Sequence, residues 1–253
     1  MLGQAIWWGS ILLEALLLFR GFRGQLLARY PVFYGYIAFV CLQSLLRFSI
    51  YHSRPQLYLP VYWITQALGV LIGCAVVFEI YRKGLQAYPG TARMARNVLA
   101  FLFVMALTKA LVETWNNPQW WSIATNADLE RALRTVQSLA ILALVLLFLF
   151  YSIPFGRNLR GILLGYGLFV AVSVIQLTFV TNSNNAFSNF WSYVSPGSYF
   201  AVLGVWAMHL WSYRASPEPK KSVALEAQYQ RLAATTSHRL REARGYLAKA
   251  VRP

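Results

Sequence analysis

The stretch from Pro60 to Tyr81 reads PVYWITQALGVLIGCAVVFEIY, and its only charge is Glu79, close to the end. A helix crosses roughly 30 Å of hydrocarbon with about 20 mostly apolar residues. The stretch has that length and that composition, so it reads as a membrane span. Six further stretches of the same kind flank it: Gln4–Phe19, Pro31–Tyr51, Asn97–Trp115, Arg134–Pro154, Gly161–Thr181 and Pro196–Tyr213. Pro31, Pro60 and Pro196 stand at starts, where a missing N–H costs nothing, and Pro154 stands at an end. No proline falls inside a span so drawn, and seven unbroken helices are expected. Composition agrees. Hydrophobic residues make up 58% of the chain and charged residues 12%, against roughly 25% charged in a soluble domain. The expected fold is an all-α polytopic bundle of seven transmembrane helices over residues 1–214, followed by a cytosolic linker and tail over 215–253.

Lysine and arginine in the short loops set the orientation. One side carries Arg20, Arg23, Arg29, Arg82, Lys83, Arg93, Arg96, Arg157 and Arg160, whereas the other carries Arg54, Arg131 and Arg134. The tail adds further cations to the richer side. The expected topology is therefore N-out and C-in. The first helix has no cation before it and several after it, the pattern of a reverse anchor and not of a cleaved signal peptide. Trp7, Trp8, Trp63, Trp115, Trp120, Trp121 and Trp191 fall near the outer interface, and Tyr30, Tyr34, Tyr81, Tyr151 and Tyr213 near the inner one, as aromatic belts do. The formal net charge of +15 is mostly cytosolic and suits an anionic inner leaflet. No folded soluble domain is expected to present a nucleic-acid groove.

The tail opens on Ser216-Pro217-Glu218-Pro219. After it Leu225, Tyr229, Leu232, Leu240, Ala243, Leu247 and Ala250 recur near a helical spacing, among Arg231, Arg239, Arg241, Arg244 and Lys249. This is a basic amphipathic helix. It suits anionic inner-leaflet lipid, with a protein partner, a homo-oligomeric coil or disorder as alternatives. Thr125, Asn126, Asp128 and Glu130 read as the N-cap and acidic first turn of the fifth helix, projecting outward.

Charges inside hydrocarbon are costly and usually face the bundle interior. One group gathers at outer depth: Arg47 and Gln43 on span two, Gln66 on span three, Lys109 and Glu113 on span four, Gln176 on span six. It is either a satisfied structural network, with Arg47 and Lys109 pairing to Glu113, or the lining of an outward-facing pocket. Gly69 and Gly73, four residues apart beside Gln66, are expected to let a neighbouring backbone approach. A second group, Glu14, Glu79 and His209, is placed within about two turns of the inner surface by helical rise. It is a candidate proton-sensitive cluster, the alternative being that Glu79 snorkels toward Arg82 and Lys83 while His209 is a packed neutral side chain. Cys41 and Cys74 read as small buried residues. There is no Ser/His/Asp set, Walker loop or zinc spacing, and no cofactor is expected.

Phe78-Glu79-Ile80-Tyr81-Arg82, Pro89-Gly90-Thr91-Ala92-Arg93-Met94-Ala95-Arg96-Asn97 and Ile153-Pro154-Phe155-Gly156-Arg157-Asn158-Leu159 together resemble a group of uncharacterised bacterial seven-helix membrane proteins. The resemblance implies the topology and a bacterial inner membrane, and implies no activity. At an offset of 130, Gly35-Tyr36 and Phe39-Val40 match Gly165-Tyr166 and Phe169-Val170. That is a faint parallel three-plus-one-plus-three repeat, the plan of seven-helix sugar carriers, though without their kinking prolines. The expected function is a non-enzymatic sensory or scaffolding membrane module, and the alternative is a small-solute transporter.

Overall fold

The computed structural model describes residues 2–86, 89–116, 123–151, 156–179 and 185–214, and in the tail residues 231, 234–237 and 239. Among them there is helix and no strand. Seven helices are long: α1 (Leu2–Arg23), α3 (Pro31–Ser53), α4 (Tyr58–Gly84), α5 (Pro89–Asn116), α6 (Ile123–Tyr151), α7 (Arg157–Phe179) and α8 (Asn185–His209). The short α2 (Leu26–Arg29) and a 3-10 turn, Pro55–Leu57, join neighbours. Four segments are long and apolar enough to cross a membrane: Gln4–Arg23, Pro31–Ser53, Pro55–Gly84 and Arg157–Phe179. The described tail residues 231, 234–237 and 239 are helical, and the rest of the amphipathic tail stretch lies outside the described residues.

The outer surface is apolar where a soluble protein would be polar. Leu12, Phe22, Leu42 and Leu149 are each two-thirds exposed or more. The interior meanwhile holds Glu14, Glu79, Glu130, Arg134, Gln137 and Asn158. A surface of this kind is one that hydrocarbon, not water, covers.

At one end of the bundle the helix termini are capped by buried side chains from neighbours. Pro31 opens α3 and gives up no hydrogen bond there. The next two N–H groups, of Val32 and Phe33, donate to Glu79 Oε1 at 3.1 Å and Oε2 at 2.8 Å. Glu79 therefore closes the positive end of α3 and does not snorkel toward Arg82 and Lys83. At the same end α8 runs out, and Asn158, fully buried at the start of α7, donates to the carbonyls of His209 at 3.0 Å and Ser212 at 2.8 Å. Its Oδ1 accepts from the Arg214 N–H at 2.7 Å. Arg20 and Arg157 donate to the Trp211 and Met208 carbonyls, and Arg20 also lies over the Trp211 ring, 4.1 Å from its centroid. Cations at a helix C-terminus oppose the negative end of its dipole.

Two glycines set a close helix contact, between α7 and α8. A Cβ on Gly161 would strike His209, and one on Gly165 would strike Trp206. Trp206 is wholly buried and stands edge-on to Phe33, 5.0 Å between centroids. This Gly-x-x-x-Gly pair is the one that lets α7 and α8 close together. At the pair expected from sequence, Gly73 accommodates the Tyr166 hydroxyl and the Gln137 amide, whereas a Cβ on Gly69 would make only ordinary contacts. Side chains, not a backbone, fill that space.

One expectation fails outright. Pro196 does not start a helix. It lies inside α8, eleven residues after Asn185. The stretch 185–195 is polar enough that hydropathy alone ends the span at the proline, yet it is helical.

Candidate functional site

A cavity of about 350 Å³ lies between α3, α4, α6, α7 and α8. Its wall is mixed: Gln43, Gln66, Gln176, Ser195 and the phenols of Tyr36, Tyr62 and Tyr199, with Glu130 and Arg134 as its ionised groups and Phe169 as an apolar plate. Three of the residues expected to share a pocket, Gln43, Gln66 and Gln176, are thus brought to one space. Gln176 accepts from the Ser195 hydroxyl at 2.8 Å, which ties α7 to α8 one residue before Pro196.

Arg47 stands beside this wall and is held entirely by α3 and α4. Its Nε donates to Thr65 Oγ1 at 2.9 Å. Its Nη2 donates to the Tyr62 carbonyl at 3.2 Å, to Gln66 Oε1 at 3.1 Å and, more weakly, to Gln43 Oε1 at 3.5 Å. The guanidinium also lies over the Tyr62 ring, 4.3 Å from its centroid. Gln66 passes the connection onward, since its Nε2 donates to Glu130 Oε1 at 2.7 Å. The same oxygen accepts from Arg134 Nε, also at 2.7 Å. A continuous path therefore runs from cation through amide to anion to cation, across α3, α4 and α6. The acid in it is Glu130.

The described part of this network thus contains an acid that was expected elsewhere. The side chain of Glu113 lies outside the described residues, and with it the expected pairing of Glu113 with Arg47 and Lys109. Lys109 is exposed on α5, a helix that packs against α4 and α6. The acid Glu130 and the cation Arg134, expected as charges of a protruding first turn and an outer loop, are buried at 9% and 6% exposure. The reason is length. Helix α6 starts at Ile123, eleven residues before the expected span, so Glu130 and Arg134 stand two and three turns inside it and are buried in the bundle.

Below the cavity the bundle is closed. Tyr166 and Gln137 are both wholly buried. The Tyr166 hydroxyl donates to Gln137 Oε1 at 3.2 Å, and the Gln137 amide donates to the Val70 carbonyl at 3.0 Å and meets Cys74 Sγ at 3.2 Å. Tyr36 meets the Tyr166 ring edge-on at 5.7 Å. The side-chain polar groups of Tyr166 and Gln137 are thus matched from within, as buried polar groups must be.

The second expected cluster does not assemble. Glu14 accepts from the Tyr199 hydroxyl at 2.8 Å and has Cys41 beside it. Cys41 is ten residues into α3, about 15 Å along the helix from the end that Glu79 caps. His209 shares its Nδ1 with the Val205 carbonyl at 3.0 Å and packs on Gly161. The three residues have three separate roles: Glu14 serves the wall behind Tyr199, Glu79 caps α3, and His209 packs α8 on α7. Among the described residues no group of three His, Cys, Asp or Glu side chains is placed to hold a metal ion.

No protein-family model, curated protein or solved structure matches this chain.

Proposed function

We propose that the protein is a non-enzymatic sensory or scaffolding module of a bacterial cytoplasmic membrane. In this reading all seven long helices span the bilayer, N-out and C-in, with the cavity opening toward the outer face. A small polar molecule enters the cavity, and the basic tail reports on the inner side, beside anionic lipid and a protein partner or a second copy. The observation that carries the reading is the polar cavity above a closed floor. A ligand has groups to bind, and the wholly buried Tyr166–Gln137 layer bars its passage.

Small-solute transport is the second reading, and one observation favours it. Pro196 stands in the cavity wall inside α8, so the helices are not all unbroken as expected. A proline in a membrane helix frees a backbone carbonyl and permits bending.

Two-sided labelling separates the two. In a background with Cys41→Ser and Cys74→Ser, single cysteines replace Ser173 or Gln176 in the cavity wall. A sensory module is labelled by a membrane-impermeant thiol reagent from the outer face alone, with or without solute. Labelling from both faces, with solute shifting the balance, would establish the transporter and remove the sensory reading.

A further inference from the structure

The cavity is lined by donors that lack acceptors, and this narrows what it binds, on the reading that it is a binding site at all. Arg134 is 6% exposed, yet among the described residues its one hydrogen bond is from Nε to Glu130. A guanidinium carries five N–H donors. The Nη atoms of Arg134 are not among the buried polar atoms sealed away without a partner, so they open on the cavity that the residue lines. Phe169 lies against the guanidinium, its centroid 4.9 Å from Cζ, and takes up a face while the Nη edge stays clear. Tyr36 is 4% exposed and lines the same cavity. Its hydroxyl has no partner among the described residues and is not sealed away either.

In the path itself Arg47 and Arg134 are positive and Glu130 is negative, while the carboxyl of Glu14 stands behind Tyr199 in the same wall. What the cavity leaves unmatched is therefore the Nη edge of Arg134 and not a surplus of charge. The planar fork of a guanidinium matches the two oxygens of a carboxylate, as it also matches two oxygens of a phosphate. The volume, about 350 Å³, lies at the small end of the roughly 300–1,000 Å³ of small-molecule sites.

We propose that the cavity binds a small organic monocarboxylate. Its two oxygens take the Nη edge of Arg134, the Tyr36 hydroxyl donates to one of them, and the body of the molecule lies against Phe169 toward Gln176 and Ser195. Arg134 contributes both charge and geometry, held in place by Glu130, which Gln66 holds in turn.

The test uses the full chain in lipid nanodiscs, with thermal unfolding followed by tryptophan fluorescence. The probes are sodium acetate, lactate, benzoate and L-alanine, each paired with its amide, and inorganic phosphate, all at one ionic strength. At least one carboxylate raises the midpoint saturably while its amide does not. Tyr36→Phe, which removes one hydroxyl, weakens that carboxylate about tenfold, the size of one hydrogen bond to a charged group. Arg134→Lys keeps a cation for Glu130 but loses the fork, and weakens it at least as much. The proposal is overturned if no carboxylate acts, if phosphate alone acts, or if Tyr36→Phe binds as tightly as the parent. Stabilisation by the amides to the same extent also overturns it, but leaves a binding cavity standing. The two-sided labelling decides that broader reading independently.

Discussion

Glu130 is the residue on which the buried charges depend. Two donors converge on one of its oxygens, from Gln66 and from Arg134. Glu130→Gln leaves the guanidinium of Arg134 in the interior without its counter-ion, and breaking a buried pair costs about 3–5 kcal/mol. The double variant Glu130→Gln/Arg134→Gln removes both charges, and buried pairs replaced together are often tolerated. The single variant is therefore expected to unfold at lower denaturant than the double. A double variant less stable than the single would mean that each residue is held by something other than the pair. Glu79 gives a second test at this scale. Its carboxylate meets two N–H groups that the helix itself cannot satisfy, so Glu79→Ala should cost about 0.5–2 kcal/mol, the range for loss of an N-cap. The loss should appear first as faster amide exchange at Val32 and Phe33. Unchanged exchange there would show that the cap contributes nothing.

At the scale of the helix, the α7–α8 contact is the one most open to attack. Gly161 and Gly165 have no room for a methyl group against His209 and Trp206. Overpacking of a close interface costs about 1–3 kcal/mol. Gly165→Ala is therefore expected to lower the unfolding midpoint, while Gly204→Ala on α8, where a Cβ meets open space, should leave it level or raised. Equal effects at the two sites would refute the close-packing account. This pair was present in the sequence at the same spacing as Gly69 and Gly73, but spacing cannot distinguish a glycine that receives a tryptophan from one that lines a cavity. Helix existence was legible because apolar length is a one-dimensional property, and each expected span overlaps a long helix. Ends were less legible. Hydropathy stops at the first polar residues, so it cut α6 at Arg134 and α8 at Pro196, although both helices continue through them. That error hid the site's charged groups. Glu130 and Arg134 looked like solvated charges of a helix start, whereas Gln43, Gln66 and Gln176 were visible because each stands alone in apolar surroundings. The separation of Glu14 from Glu79 was not legible either, since counting from the expected span ends placed Glu14 too near the end of the bundle that Glu79 caps.

For the whole molecule the decisive quantity is which end faces the cytosol. The capped end of the bundle gathers Arg20, Arg29, Arg82, Lys83, Arg157 and Arg160, and there the chain leaves α8 toward the tail. The cavity end holds Gln43, Gln66 and Gln176, buries Arg47 and Arg134 at least in part, and exposes Arg54. Positive charge in short loops is retained on the cytosolic side during insertion, so the capped end should lie inside and the cavity should face out. Of the cations at the capped end, Arg20, Arg29 and Arg157 already bind carbonyls and rings of the end of α8 and of the residues that follow it. They nevertheless sit at the surface, where an anionic leaflet attracts each by about 1 kcal/mol. A reporter active only in the cytosol, fused after Pro253, is expected to be active, and the same reporter before Met1 inactive. The balance also predicts how to invert it. Arg20, Arg23 and Arg29 follow the first helix, and the first helix usually dominates orientation. Replacing these three by Gln while adding three Lys ahead of Gln4 should move a fraction of the chains to the opposite orientation, read as reporter activity gained at the N-terminus and lost at the C-terminus. Chains that stay wholly N-out under that change would show that later loops, above all Arg82, Lys83, Arg93 and Arg96, set the topology. Activity at the C-terminus that is absent in the unmodified protein would place the cavity on the cytosolic face and with it the source of its ligand.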